Sequence, residues 1–580
     1  MSTHVRIWLS ILLYGALLTP IFAQTEKQSA DKSDSLPSIA PKVESIDDTI
    51  DRVIAREHEE LAVINTYHPI VETYVQRLNQ KRNGEPLLSM DYYYLGQATL
   101  SGSKPPSYRS MLTSSDQYPK SGLANGDFNP FGFIQMIYVD RKGLDKRHYS
   151  FQYVGREFLG DVRCLVFDVK PLPKAGPGRF YGRIWAEDKV YTIVRFNGVY
   201  LPVYHNHAVN SHFDSWRMNV QPDLWLPAYA FAEETDLKIR KLEIKYINDL
   251  DRLRFRAQTR FWGYNLKDPN QEQEFSKLAV ESPTGVTDNA FNDQEHDQSP
   301  VQATRNWQSQ ADNNVINTLV REGLVAPAGE VDKALDTVVN NLVATNNLDI
   351  EPPVHCRVLL TSTFDLFAVG HVIVISRGQL DVLPDEATLA TMLAQGLAEI
   401  IVAKTSVDRF AFYDIVQLSP LEGLRRFSFR VNPREREESN RKAIAILQNS
   451  PYKNNLATAG LFLKEYEQDS KKLRALVAPH LGDRIHVASE LTNAAPTLQP
   501  GKLDQVVALP MGTRIKLDPW TDKIELVKAK PTSLASAREN MPLELTPLQP
   551  YLTRYAKQKS TGGPPKVVLN GAASSSPPEP

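Results

Sequence analysis

Cysteine is almost missing from this chain of 580 residues, with only Cys164 and Cys356 present. Two thiols so far apart supply no disulfide framework, no Cys-x-x-Cys redox pair and no thiolate zinc cluster. Both fall on strand-like segments in different domains and read as buried free thiols, with a disulfide as the alternative in an oxidising compartment. A surplus of charge of one sign is also lacking, since 66 Lys and Arg stand against 68 Asp and Glu for a formal net charge of −2. The basic footprint that nucleic acid requires is missing, so no nucleic-acid partner is expected. After the first two dozen residues no apolar run approaches the ~20 residues of a membrane-spanning helix. No Gly-x-Ser-x-Gly elbow and no phosphate-cradling loop appears.

The remaining composition is that of a globular protein, 42% hydrophobic and 23% charged, and the length calls for several domains. His4 and Arg6 precede an apolar stretch over residues 7–22, and Ala23 supplies a small residue at a cleavage position. This pattern predicts a signal peptide over residues 1–23, with a retained anchor as the alternative. An exported protein is expected, periplasmic or extracellular and peripheral to an outer membrane if it meets one. Residues 24–42 are too poor in apolar side chains to fold and read as a flexible leader. Ile46, Ile50 and Val53 recur at helical spacing, and Ile70, Tyr74, Val75 and Leu78 repeat it after His68-Pro69, so residues 43–86 are expected to be helical.

Residues 87–264 change to short β-rich runs at 133–139, 163–169, 180–186, 190–196, 213–220, 224–232, 238–246 and 252–263. Turn residues such as Glu187-Asp188-Lys189 and Gln221-Pro222-Asp223 separate neighbouring runs. Adjacent antiparallel pairing into a large sheet follows. Trp185, Trp216, Trp225 and Trp262 lie in this region and are candidates for lining a lipid or peptide groove, against ordinary core packing. Gly155-Arg-Glu-Phe-Leu-Gly160, leading to the Cys164 strand and then Gly182-Arg-Ile-Trp185, resembles the curved sheet of periplasmic lipoprotein-carrier (LolA-like) proteins. Residues 265–310 are rich in Asp, Glu, Asn, Gln, Ser and Pro and read as a linker. Residues 311–500 turn to an α/β pattern. Two short strands at 514–517 and 523–527 mark an extension over 501–556, and 557–580 read as a disordered tail.

Within residues 311–500, Phe367 to Leu380 forms an apolar strand ending in Ser-Arg-Gly. It leads through Pro384-Asp-Glu into a helix bearing Gln395-Gly-Leu-Ala-Glu399. This order resembles the HtpX-like zinc metallopeptidases (peptidase family M forty-eight), in which the helix carries H-E-x-x-H. Two histidines four apart reach one zinc from one helix face, and the intervening Glu activates the bound water. Here Gln395 and Glu399 occupy the histidine positions and Gly396 that of the base. The later E-x-x-A-D segment is matched by Arg436-Glu-Glu-Ser-Asn440, so Arg436 replaces a carboxylate ligand and Asn440 the Asp. A further Thr-His-Pro signal appears as Val477-Ala478-Pro479. Glu399 and Arg436 are a candidate ion pair standing in for the metal, and His371 and His480 are weighed as substitute ligands and set aside.

The expected fold class is therefore α+β and multidomain: N-terminal helices, a large antiparallel β-sheet module, then a mainly helical metallopeptidase-like domain with a small sheet. The resemblance implies an exported pseudo-metallopeptidase of the bacterial cell envelope with no catalytic residue, no metal and no cofactor, acting through a protein partner. An active zinc metalloendopeptidase with another ligand set is the first alternative. A lipid or lipoprotein carrier working through the β-rich module is the second.

Overall fold

A computed structural model describes residues 45–80, 86–100, 106–112, 133–201, 211–233, 255–264, 312–402, 429–471, 473–495, 515–517, 524–526 and 552–555. The expected signal peptide, leader, 238–246 strand, linker and tail lie outside the described residues.

Helix α1 (Ile46–Ile64) turns Ile50, Val53, Leu61 and Ile64 inward, as its spacing predicts. The second expected helix is instead a strand, β1 (Ile70–Gln80). Ile70, Val71, Tyr74 and Val75 are all buried, together with Glu72, Thr73 and Gln76. A strand covered on both faces shows no two-residue alternation, and the β-branched residues were the signal to follow. The β-rich module therefore begins at Ile70 and not at residue 87.

The chain continues through β2 (Pro86–Thr99), β3 (Ser107–Ser110), β4 (Tyr149–Leu159), β5 (Val162–Pro171) and β6 (Arg179–Glu187). After these come β7 (Ile193–Leu201), β8 (His212–Gln221), β9 (Leu224–Glu233) and β10 (Phe255–Trp262). Together they make one ten-stranded sheet in the order β3-β2-β1-β10-β9-β8-β7-β6-β5-β4. Every pairing between neighbours is antiparallel. Between β8 and β9, Pro222 is followed by Asp223 in the left-handed region (φ 59°), the pair that a tight reversal favours. The 133–139 run, expected as a strand, is helical and includes a 3₁₀ turn over Gln135–Ile137. Its residues are buried nearly all round, and so short an apolar run carries no period that separates helix from strand.

Both faces of the sheet are covered. On one, α1 and the 133–149 segment bury Phe167, Phe180, Phe196, Phe213 and Phe255. Arg217 and Glu57, both fully buried, pair at 2.7 Å and bolt α1 to β8. The other face packs on the C-terminal part of the chain.

That part contains α2 (Glu330–Thr345), β11 (His355–Leu359), β12 (Leu366–Val369), β13 (Val372–Ser376), α3 (Arg377–Val382) and α4 (Glu386–Val402). It continues with α5 (Pro433–Gln448), α6 (Leu456–Asp469), α7 (Arg474–Val477), α8 (Ser489–Ala494), β14 (Ile515–Leu517) and β15 (Ile524–Leu526). Strands β11, β13 and β12 form a small mixed sheet, and β14 pairs with β15. Helix α4 is buried almost all round, which its Ala- and Leu-rich sequence anticipates. The mixed α/β architecture with a large antiparallel sheet agrees with the expected class. Nothing beyond that architecture supports a metallopeptidase-like domain.

Polar groups join the two parts. Glu72 on β1 pairs with Arg260 on β10 at 2.9 Å and accepts hydrogen bonds from Tyr93 Oη (2.7 Å), Ser362 N (2.6 Å) and Ser362 Oγ (2.8 Å). Asp91 on β2 accepts from the backbone N–H groups of Ala475 and Leu476, each at 2.9 Å. Trp262 Nε1 donates to Gly323 O at 2.8 Å.

Candidate functional site

Two places were candidates from the sequence, and the fold treats them differently. At the first, α4 and α5 pack together. The Gln395 amide closes a two-way clasp, donating to His486 O at 3.0 Å and accepting from His486 N at 3.3 Å. Both of its polar atoms are thus committed to backbone. Gly396 faces β13, where a Cβ would stand 2.8 Å from Ile373 Cγ2. Any larger side chain there must displace the Ile373 side chain.

Arg436 does not pair with Glu399. Its guanidinium donates to Asp483 Oδ1 at 2.5 Å and to Val431 O at 3.2 Å, while Asp483 Oδ2 accepts from Val431 N. No hydrogen bond or ion pair of Glu399 occurs among the described residues. Burial first, and Asp483 second, push its carboxyl up to about 8 against the pull of Arg436. Asn440 is half-buried further along α5. His371 lies in the β12–β13 turn, and His480 stacks on Tyr93 at 4.9 Å between ring centroids. A clasped amide, one carboxyl held toward its neutral form and a guanidinium do not fit a zinc ion, which takes anionic or imidazole donors. Among the described residues no three His, Cys, Asp or Glu are grouped to hold a metal.

The second place is the face of the sheet turned to the C-terminal part. Opposed residues on paired strands share a face. The register runs Val166, Trp185, Arg195, Trp216, Tyr229, Arg260, Glu72, Leu95 as one row across β5, β6, β7, β8, β9, β10, β1 and β2. Trp185, Trp216, Trp225 and Trp262 all belong to this face's core. The Arg195 guanidinium lies between the Trp185 and Trp216 rings, 4.4 Å from each centroid, and pairs with Asp214 at 2.7 Å. Trp185 Nε1 donates to Glu157 at 2.7 Å. Trp216 is 1% exposed, yet its Nε1 has no hydrogen-bond partner among the described residues. A buried donor without an acceptor is uncommon and costly.

The row has two halves. Arg260 and Glu72 hydrogen-bond to the C-terminal part, whereas Val166, Trp185 and Trp216 make the apolar half, within the core that the sheet shares with that part. Sequence reading picked out the tryptophans but missed Glu72, Arg195 and Arg260. The available signal was a charge in mid-strand among buried neighbours. Cys164, on this face, and Cys356, on β11, are both free and buried, and desolvation pushes the Cys164 thiol up to about 12.

No family model and no curated protein matches the chain. Solved structures similar to part of it include a DUF1329 family protein from Desulfovibrio piger ATCC 29098, at 10% identity over 40% of this chain and 99% of that one, with a TM-score of 0.20. A domain from Vibrio parahaemolyticus assigned to outer membrane lipoprotein sorting is 11% identical over 39% of this chain and 97% of that one, with a TM-score of 0.17. Such scores are too low to transfer an activity or a ligand. No described helix is long and apolar enough to cross a membrane.

Proposed function

We propose that this chain is an exported carrier or sensor of acyl-chain ligands, and that the tryptophan half of the row on the large sheet is its binding wall. The observation that supports this reading is the buried Trp216 Nε1, set in an apolar face and without a partner among the described residues. An ester or carboxyl oxygen of a lipid or lipoprotein would satisfy that donor, while the chain of methylenes would lie along Val166, Trp185 and Cys164. Burial of such a chain is favourable by ~0.8 kcal/mol per methylene. On this reading the C-terminal part supplies a wall and a surface for a protein partner in the cell envelope, and no chemistry.

The test uses the full chain and a dansyl-labelled fatty acid. Saturable binding with quenching of tryptophan emission is expected, competed by unlabelled lysophospholipid. Trp216→Phe should weaken binding about fivefold, the loss of one net hydrogen bond of ~1 kcal/mol. Failure of the folded protein to bind the probe would sink the reading.

A further inference from the structure

The apolar half of the tryptophan face meets a short piece of chain from far along the sequence. Leu552 is 1% exposed and joins the same core as Val162, Cys164, Val166, Trp185 and Trp216. Its carbonyl accepts from Asp161 N in the β4–β5 turn at 2.9 Å. Arg554 pairs with Glu187 at the end of β6 and lies 3.7 Å from Asp188, and Tyr555 N donates to Asn219 Oδ1 on β8 at 2.5 Å. Residues 552–555 thus run over the ends of three strands, held by one apolar side chain, two backbone hydrogen bonds and one cation.

The chemistry of these anchors is informative. Glu187 is fully buried, and Arg554 is its cation. A buried carboxylate left without a counter-charge is strongly unfavourable, so the cation draws the segment back whenever it leaves. Leu552 meanwhile supplies the kind of surface that an acyl chain would supply, in the same core as Trp216, whose donor has no partner among the described residues. The segment closes the face without completing it.

We propose that Leu552–Tyr555 is a detachable strap that fills the end of the acyl site when no ligand is present, with Arg554 as its latch on Glu187. The ligand's chain takes the place of Leu552, and binding is coupled to release of the C-terminal segment. This rests on the acyl-binding reading above, and Cys164 provides a readout that needs no ligand. Its thiol is buried in the core that Leu552 joins, near enough to Arg554 to feel its charge.

The experiment measures native-state labelling by N-ethylmaleimide in full-length Cys356→Ser protein, where Cys164 is the sole thiol. Arg554→Ala should raise the labelling rate at least tenfold, and Arg554→Lys, which keeps the cation, less than threefold. Full-length Cys164→Ser protein carrying Arg554→Ala reports on Cys356, which should stay as slow as in the parent. If Cys356 also becomes fast, the variant has unfolded, and Leu552→Ser replaces it under the same criteria. Affinity for the dansyl fatty acid should rise three- to tenfold in the latch variant. An unchanged Cys164 rate in a folded variant overturns the strap. A raised rate with unchanged, measurable probe affinity overturns its competition with ligand. A raised rate with no probe binding by either protein supports a detachable strap and overturns the acyl reading.

Discussion

Glu60 lies on the inner side of α1, 1% exposed, where it accepts from Trp225 N at 2.8 Å and meets Arg56 at 3.2 Å. Desolvation is the largest influence on it and, despite Arg217 and Arg56, pushes its carboxyl up to about 7. A carboxyl raised in the folded state prefers its proton there. Its contribution to stability is complete below about 4.5 and is lost as pH rises toward 7 and beyond. Glu60→Gln removes that loss. The stability of the variant relative to the parent should therefore increase between pH 5 and pH 8, by on the order of 3 kcal/mol. Urea denaturation of both proteins at the two pH values measures it, and a difference independent of pH would show that Glu60 is ionised in the fold throughout.

At the scale of elements, the four-residue helix α7 is capped from a distance. Its first free N–H groups, those of Ala475 and Leu476, point at the Asp91 carboxylate on β2, which Tyr74 Oη also approaches at 3.3 Å. So short a helix has no stability of its own, and the strand supplies the cap that a preceding Ser or Asp would ordinarily provide. Asp91→Ala strands two partly or fully buried donors and should cost about 3 kcal/mol, with Asp91→Asn costing about half as much. Equal costs for the two would mean that charge, and not acceptor geometry, holds α7. The same dependence on a neighbour explains β1. Its apolar residues fit a helical period as well as a strand, and pairing with β2 and β10 settled the choice.

At the scale of the whole molecule, the Glu72–Arg260 pair and its Ser362 and Tyr93 partners sit in the seam between sheet and C-terminal part, where water cannot replace them. Breaking one side leaves a buried charge, so Arg260→Ala should cost about 3–5 kcal/mol, while Glu72→Leu with Arg260→Met should cost much less than the sum of the single changes. Both parts should unfold in one transition, because the seam is shared. Calorimetry showing two separated transitions in the parent protein would contradict that coupling.

What could be read in the sequence was local. The strands β5, β6, β8 and β9, the turn at Pro222-Asp223 and the helices α2, α4 and α5 all stand near their expected places, because turn chemistry and hydrophobic period act between near neighbours. Contacts between distant residues were not. Arg436 chose Asp483, 47 residues away, over Glu399, and Gly396 proved to lie against Ile373. Glu72 met Ser362 across 290 residues, and Arg554 met Glu187 across 367. No periodicity encodes such pairs. They follow from which faces the sheet turns to its neighbours, and that depends on register and burial summed over the whole chain.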